Sequence, residues 1–506
     1  MTRVSHAIGG IRVSFDDPNL VANAGLLLTA TMVERLGLEA LIDATVKLDG
    51  RTGGARPGRK VLTLTHAMIA GGTHIDHADM LRAGSTGAVL GHRVMAPSTL
   101  GTFLRSFTFG HVRQLEAVNG RALERAWATT VGPVGDVVID VDSTICEVVG
   151  KHKQGAGYGY TRKLGYHPLL ATRADTGEIV HARMRKGSAN TQRGARRFID
   201  ELVARARRAG ATGALTIRFD SGFWSNDTIV ALNRLDVRYT MAVRCSSKGI
   251  NDAISNIADD AWTPIEYTND GEAEVAECAY TTGVAKKAVT RRLVVRRTRL
   301  TDKQQLKLWP DWRHFGFLTD LDGTAVEVDK FHRQHAVVEL AIRDLKQGAG
   351  LEHVPSGNFH ANSAWLQCAV LAHNMIRWTA TAGKVRVDNQ LVVARTLRTR
   401  LLAIPGRLVN RSGQPTLRLP TGWPWATTFT TALAALRDPE YVNSCLPFCS
   451  LEFWGYRACG SVGLIHTRAG WRGGRGGPLG NRSGWCWWAR SSTVWRAVLI
   501  RCPLPA

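Results

Sequence analysis

The chain has 506 residues, of which 44% are hydrophobic, so it exceeds one compact core and can bury a sizeable interior. Lys and Arg outnumber Asp and Glu by 65 to 42, and the resulting net charge of +23 is far above that of an ordinary cytoplasmic enzyme. A polyanion is therefore the expected partner. The basic residues are spread along the chain and form no membrane-binding cluster, which favours nucleic acid over an anionic lipid surface.

The sequence predicts no signal peptide and no membrane-spanning segment. The start, MTRVSHAIGGIRVSF, lacks an apolar signal core, and the longest apolar run, LVANAGLLLTATMV, is too short and too polar to span a bilayer. We expect a soluble cytoplasmic protein with no membrane partner. The nine cysteines form no CxxC pair, which argues against a zinc site.

Residues 1–130 are predicted to be mostly helical, with short amphipathic segments separated by Gly and Pro. The segments include LLLTATMVERLGLEALIDATV, RKVLTLTHAMIAGG and HVRQLEAVNGRALERAWA. This pattern is compatible with a helix-turn-helix-like DNA-binding unit, although any small helical domain could show it. We therefore assign residues 1–130 as a helical N-terminal DNA-binding region.

From Val134 the hydrophobic period changes to two. In GDVVIDVDSTICEVVG, Val137, Ile139 and Val141 alternate with acidic and other residues, which predicts a strand. Strands are also predicted in YHPLLATRAD, EIVHARMRKG, ALTIRFDSGFW and VRYTMAV, with helices in TQRGARRFIDELVARARRAG and NDTIVALNRL. Residues 131–244 are thus predicted to form an α/β sheet with helices packed on it.

The remainder divides into four predicted parts. Residues 245–328 form a β-rich insertion, residues 329–400 a helical continuation of the core, and residues 401–440 a C-terminal region. Residues 441–506 differ in composition, being rich in Gly, Arg, Trp and Cys and containing GWRGGRGGPLGNRSGWCWW. This composition predicts disorder or a non-native extension.

The segment FHRQHAVVELAIRDLKQG, residues 331–348, is predicted to be one amphipathic helix. Its apolar face carries Val338, Ala341, Ile342 and Leu345. Its polar stripe places one carboxylate among side chains that are, or can become, cationic: His332, His335, Glu339, Arg343 and Lys346. A solvated helix with an i,i+4 pair would explain Glu339 with Arg343, but a phosphate-binding site would use the whole stripe.

Three distant carboxylates are candidates for one catalytic site. Asp142 ends the first strand, Asp220 ends a later strand, and Glu339 lies on the helix after the insertion. Mg²⁺ prefers carboxylate oxygens, and two such ions can clamp the attacking and leaving oxygens of a phosphodiester. If the fold unites these acids, the neighbouring basic residues would hold DNA phosphates.

Three blocks of the chain resemble those of a known family. VIDVDST, RFDSGFW and HRQHAVVELAIRDLK are similar to the blocks of DDE-type insertion-sequence transposases with a β-rich insertion, most of all the insertion-sequence-1380 group. The resemblance runs from Leu20 to Leu436 and excludes the tail. It implies an RNase H-like catalytic core, a mixed sheet flanked by helices, which the β-rich insertion interrupts.

The resemblance also implies a function and a site. It implies cleavage at the element's ends and transfer of 3′-hydroxyl strands into target DNA, with two Mg²⁺ ions, or Mn²⁺, held by Asp142, Asp220 and Glu339. Asp140 is the reserve for the first ligand. DNA partners would be the terminal inverted repeats and the target, with a homodimer joining two ends and a location on the nucleoid.

The family's third block reads Tyr, two residues, Arg, three residues, Glu, six residues, Lys. Glu339 and Lys346 match this pattern, whereas His332 replaces the Tyr and His335 replaces the Arg. The predicted DNA-binding residues, within this block and outside it, are Lys346, Arg343, His335, His332, Arg162, Lys163, Trp309 and Trp312. Two other functions stay open: a metal-dependent nuclease of this fold without strand transfer, and an inactive DNA-binding protein derived from a transposase.

Overall fold

The computed structural model of this protein describes residues 8–129, 131–159, 161–267, 271–283, 288–300, 312–386, 392–438, 488–491 and 494–497. One compact unit spans Met1–Phe448 and a second spans Cys449–Ala506. In the second unit, β-strands Trp488–Ser491 and Val494–Ala497 pair as an antiparallel hairpin. The other residues of the predicted disordered tail, 441–506, lie outside the described residues.

The N-terminal part is helical, as predicted. A short strand, β1 (Leu20–Val21), precedes helices α1 (Leu26–Arg35), α2 (Leu38–Thr45), α3 (Pro57–Ile69), α4 (Asp79–Arg82), α5 (Thr86–Val89), α6 (Pro97–Arg105) and α7 (Phe109–Trp127). Proline opens α3 and α6, where its missing N–H costs nothing. Apolar residues of these helices belong to the same hydrophobic core as the sheet.

The central sheet begins where the two-residue period was predicted. It contains β2 (Val137–Ser143), β6 (Leu169–Arg173), β7 (Ile179–Arg183), β8 (Leu215–Phe219) and β9 (Arg238–Val243). Strands β2, β8 and β9 are parallel, whereas β6 and β7 are antiparallel additions beside β2. Helices α8 (Ala195–Ala209) and α9 (Asn226–Arg234) connect the parallel strands, as a parallel crossover requires. The predicted mixed α/β fold class is confirmed.

A small three-stranded sheet lies between β2 and β6 along the chain. Its strands are β3 (Cys146–Glu147), β4 (Gly157–Tyr158) and β5 (Leu164–Tyr166), in the order β3-β5-β4. Gly187 packs so closely against this sheet that a Cβ on that residue would lie 2.0 Å from the Gly165 carbonyl oxygen.

The insertion is β-rich, and it extends the central sheet. After α10 (Lys248–Ser255) come β10 (Thr263–Ile265), β11 (Gly271–Thr282), β12 (Val289–Leu300) and β13 (Arg313–Thr319). Strand β13 pairs antiparallel with β9, giving the nine-strand order β10-β11-β12-β13-β9-β8-β2-β6-β7. The sequence predicted a β-rich insertion over residues 245–328, but it did not predict that the insertion pairs with the core, because β9 and β13 are far apart in the chain.

The segment predicted as one helix over residues 331–348 is divided. Helix α11 (Ala325–Arg333) is followed by a 3₁₀ turn (Gln334–Val337), helix α12 (Val338–Arg343) and a π-helical turn (Asp344–Gly348). Its predicted apolar face is correct, since Val338, Ala341, Ile342 and Leu345 are all buried. The π turn is stabilised at Asp344, whose carboxylate accepts hydrogen bonds from Arg377 and from the Ala394 backbone N–H.

Helix α13 (Phe359–Ala382) occupies the interior and packs on α1, α3, α7 and β7. The Asn374 amide accepts a 2.7 Å hydrogen bond from the Ile179 N–H and donates one of 2.9 Å to the Ile179 carbonyl. Both backbone polar groups of this edge-strand residue are therefore hydrogen-bonded. The chain continues through α14 (Ala394–Leu397), β14 (Gly406–Arg411), β15 (Gln414–Arg418) and α15 (Ala426–Arg437), with β1 pairing on β14. Of the helices that the structure describes, none is both long and apolar enough to cross a membrane.

Candidate active site

Asp142 and Asp220 lie side by side at the ends of two neighbouring parallel strands. Val141 of β2 is paired with Phe219 of β8, and each is followed directly by one of the aspartates. Each carboxylate accepts a 2.6 Å hydrogen bond from the backbone N–H of the next residue, Ser143 or Ser221. The β-strand alternation that buries Val141 and Phe219 thus directs both acids to the same edge of the sheet.

Glu339 is carried to the side of Asp142 by α12, which packs against β2 and β6. A cavity of about 260 Å³ is lined by Asp142, Glu339, Arg343 and Lys346, among others. The pKa of Asp142 is raised to about 6, chiefly by burial and less by the negative charges of Asp220 and Glu339, while the Ser143 N–H and His335 act to lower it. The three predicted acids therefore act on one another electrostatically.

Two larger cavities are lined by Asp220, and one of them is also lined by Asp142. One, of about 620 Å³, contains Asp142 and Asp220 together with Asn190, Thr191 and Arg244 in its wall. The other, of about 580 Å³, is on the side of the insertion and reaches Asp220. Of the three acids, Asp142 and Asp220 each line two of these cavities, and Glu339 lines the 260 Å³ cavity only.

The chemistry of this donor set fits divalent cations. The three carboxylates supply oxygen ligands, which Mg²⁺ and Mn²⁺ prefer. Among the described residues, no Lys, Arg or His forms an ion pair with Asp142, Asp220 or Glu339. Burial is the main cause of the raised pKa of Asp142 and the charges of Asp220 and Glu339 add to it, so a bound cation would favour the ionised carboxylate.

Asp140, the reserve for the first ligand, faces a different environment. Its carboxylate is fully buried and accepts hydrogen bonds from the Arg218 guanidinium at 2.6 and 2.8 Å. His335 Nδ1 lies 2.8 Å from the same carboxylate. Both oxygens of Asp140 are thus engaged, and the geometry favours Asp142 as the ligand.

A second acidic group contains histidine. Oxygens of Glu116 and Glu201 and a ring nitrogen of His181 lie within 4.8 Å of one another, the one such group of three among the described residues. Glu116 and Glu201, however, are already paired with Arg113 and Arg183. A cation there would have to displace guanidinium groups, so this cluster fits a buried ion-pair network better than a metal site.

Comparison with known proteins identifies a family for this chain. The family model described as transposase DDE domain, group 1, matches residues 7–440. This chain belongs to that family. No curated protein sequence is significantly similar to it. Among solved structures, the transposase is similar to a piggyBac transposase synaptic complex with hairpin DNA, with 11% sequence identity, a TM-score of 0.42 and coverage of 75% of this chain and 79% of that one.

The family match confirms the resemblance to DDE transposases and, with it, the RNase H-like fold class. The narrower assignment to the insertion-sequence-1380 group stays a prediction.

The structure separates the predicted basic stripe of the transposase into two groups. Arg343 and Lys346 line the small cavity with Glu339, and Lys346 Nζ donates a 3.1 Å hydrogen bond to the Ile145 carbonyl. His332 and His335 instead line the cavity on the side of the insertion. The 3₁₀ turn at residues 334–337 rotates them away from the direction that one continuous helix would have given them.

His332 does not carry the positive charge that the sequence analysis allowed. Its Nδ1 lies 2.7 Å from the Thr240 hydroxyl, and its ring stacks on Phe317. The pKa of His332 is lowered to about 3, chiefly by burial and also by His335 and nearby arginines. The ring is therefore neutral near pH 7. Contact of either histidine with DNA stays a prediction.

Three other predicted DNA-binding residues, Arg162, Lys163 and Trp312, line none of the three cavities. Arg162 and Lys163 are exposed beside the small sheet, and Lys163 pairs with Glu147 at 2.6 Å. The Trp312 ring is contacted by the guanidinium groups of Arg297 and Arg299, each 4.6 Å from its centroid. These contacts occupy ring surface that a nucleobase would need. Trp309 lies outside the described residues.

Sequence reasoning missed residues that help to form this region. The segment after β7 supplies Ser188, Asn190, Thr191 and Gln192 to the largest of the three cavities. Arg218, which hydrogen-bonds Asp140, lies in the predicted strand ALTIRFDSGFW, but no partner was predicted for it. Its signal was available, since an arginine inside a strand of otherwise buried residues requires a carboxylate partner.

Proposed function

We propose that this transposase cuts DNA at the ends of its insertion sequence and joins the resulting 3′-hydroxyls to target DNA. Water would attack the phosphorus at the element's end, breaking the bond to the 3′ oxygen and leaving a 3′-hydroxyl. That hydroxyl would then attack a target phosphodiester in the same site, forming a new bond to phosphorus while the target strand's 3′ oxygen leaves as a hydroxyl. The observation that supports the proposal is that Asp142 lines one cavity with Asp220 and another with Glu339, while no described basic side chain forms an ion pair with any of the three.

Asp142, Asp220 and Glu339 would hold two Mg²⁺ or Mn²⁺ ions through their carboxylate oxygens. When bound, the ions would polarise the phosphodiester and stabilise the charge that develops on its attacking and leaving oxygens. Asp142 must be ionised to act as a ligand, and its raised pKa makes that condition dependent on pH near 6.

Lys346 and Arg343 would position the phosphate groups. Both line the cavity that contains Asp142 and Glu339, and Lys346 Nζ is held 3.1 Å from the Ile145 carbonyl, close to the end of β2. An ammonium group next to the acids can contact a phosphate that they address without neutralising them directly. The net charge of +23 supports binding of the flanking DNA, and joining two ends is expected to require a homodimer.

The test uses the element's own inverted repeats as substrate. The full-length chain is incubated with labelled end DNA and a supercoiled target, with Mg²⁺, with Mn²⁺ or with EDTA. The proposal expects 3′-hydroxyl ends and joined products only when a divalent ion is present. Cleavage without joining would indicate a nuclease, and binding without cleavage would indicate an inactive transposase derivative.

A further inference from the structure

We infer that Asp140, Arg218 and His335 form a positioning triad that sets the spacing of the three acids before any cation binds. The inference rests on the proposed function, because it takes Asp142, Asp220 and Glu339 as the ligands. It concerns residues that do not themselves face the ions. Their effect would be exerted through the elements that carry the acids.

The triad is joined by direct hydrogen bonds. The Arg218 guanidinium donates from Nε to one Asp140 oxygen at 2.6 Å and from a terminal nitrogen to the other at 2.8 Å. His335 Nδ1 donates to the first of these oxygens at 2.8 Å. The Asp140 and Arg218 side chains are only 1% and 2% exposed, so water does not compete for these contacts. A two-pronged pair of this kind fixes orientation as well as distance.

Each member of the triad lies two to four residues before one of the acids in the chain, with His335 in the 3₁₀ turn that leads into α12. Asp140 comes two residues before Asp142 and Arg218 two residues before Asp220, and side chains two apart on a strand point to the same face. Asp140 and Arg218 are also paired across β2 and β8. His335 comes four residues, about one helical turn, before Glu339. The triad thus links, one layer deeper, the three elements that present the acids.

A further contact fixes the start of the divided helix. The Arg218 guanidinium donates a 2.8 Å hydrogen bond to the Phe331 carbonyl and lies 5.1 Å from the centre of the Phe331 ring. The end of α11 is therefore held on β8, and the 3₁₀ turn that carries His335 begins directly beyond it. This attachment opposes the repulsion that would otherwise move Glu339 away from Asp142 and Asp220.

The test compares Mn²⁺ affinity and thermal stability in variants of the full-length chain. His335→Ala removes one link of the triad and leaves the buried Asp140–Arg218 pair. His335→Asn keeps an amide that can donate near the position of Nδ1. We expect His335→Ala to weaken Mn²⁺ binding by about 10- to 100-fold, as loss of a supporting hydrogen bond does at other metal sites, and His335→Asn to recover most of it.

The matched control is Asp329→Asn. Asp329 lies on α11, is buried, and pairs with Arg296 at 3.1 Å and Arg333 at 2.9 Å, but it contacts no member of the triad in the described structure. We expect this control to lower the melting temperature while leaving Mn²⁺ affinity unchanged. Arg218→Lys is a second variant, which keeps the charge but loses the two-pronged contact, and it should weaken Mn²⁺ binding as His335→Ala does.

Three outcomes would overturn the inference. Normal Mn²⁺ affinity in folded His335→Ala would show that the triad does not position the ligands. Equal loss of affinity in Asp329→Asn would show that the effect is only a loss of stability. Absence of Mn²⁺ binding in the unaltered chain would remove the proposed function and this inference together, which distinguishes that failure from the other two.

Discussion

Asp142 and Asp220 occupy equivalent positions on adjacent parallel strands, one residue beyond the pair formed by Val141 and Phe219. Strand register brings these two acids together, although strands β3 to β7 and helix α8 separate them along the chain. A one-residue shift of β8 would turn Asp220 to the opposite face of the sheet. Register is therefore the structural property on which the proposed chemistry depends.

Alanine at any one of the three acids should abolish cleavage. We expect Asp142→Ala, Asp220→Ala and Glu339→Ala to lower the Mg²⁺-dependent rate by about 1,000-fold or more, since a metal ion supplies several kcal/mol and each 1.4 kcal/mol is tenfold. End binding, measured by gel shift in EDTA, should be retained. Normal cleavage by Asp142→Ala, with loss in Asp140→Ala, would show that Asp140 is the first ligand.

Lys346→Ala should weaken DNA binding in a salt-dependent way. Removal of one phosphate contact is expected to lower the slope of log affinity against log salt by about 1. Fluorescence anisotropy at several salt concentrations measures this slope. The matched control is Lys384→Gln, at an exposed position outside the three cavities. An unchanged slope for Lys346→Ala would contradict its role at a phosphate.

Glu201→Gln should destabilise the fold without affecting the metal site. Burial and the paired arginines act in opposite directions on this group, and the net effect is a pKa lowered to about 2. The charge lost in the variant leaves Arg113 and Arg183 less well paired, which we expect to cost about 2 kcal/mol in urea unfolding, less than for a fully buried pair because Glu201 is 22% exposed. Mn²⁺ affinity should match the unaltered chain. A loss of Mn²⁺ binding would instead make Glu116, His181 and Glu201 a metal site.

Acid should destabilise the chain partly through His66. The pKa of His66 is lowered to about 3, chiefly by burial and also by His92. The stability that the neutral ring contributes is therefore fully present above pH 6.5 and is lost as the pH falls from 6.5 towards 3. The loss should approach about 1.4 kcal/mol per pH unit for this group. Burial raises the pKa of Glu116 to about 7, which acts in the opposite direction. Urea unfolding at pH 7.5 and 5.5 should therefore show a smaller decrease for His66→Gln than for the unaltered chain, and an equal decrease would contradict this assignment.

Much of the fold could be predicted because its signals are local. Alternation of Val137, Ile139 and Val141 with other residues predicted β2, and the same pattern predicted β8. The acids could be chosen because each follows a strand or lies on a helix with one apolar face. Pairing of β13 with β9 could not be predicted, because it depends on contacts between residues far apart in the chain.

The errors around the third acid have one physical origin. The sequence predicts a single helix over residues 331–348, and on that helix His335 would share a stripe with Glu339. In the structure His335 instead hydrogen-bonds the buried carboxylate of Asp140 on β2. The helix is divided at His335. A buried charge requires partners, and this requirement overrides local helical periodicity. The sequence predicted Asp140 only as the reserve for the first ligand, and strand alternation did not indicate that its carboxylate is buried.

The central claim is that Asp142, Asp220 and Glu339 share divalent cations. The most direct measurement is anomalous diffraction from crystals of the full-length chain soaked in Mn²⁺. We predict two Mn²⁺ peaks between these three carboxylates, and their loss in Asp142→Ala. Mn²⁺ found only at Glu116, His181 and Glu201, or no Mn²⁺ near Asp142 in a crystal that binds the ion elsewhere, would contradict the claim.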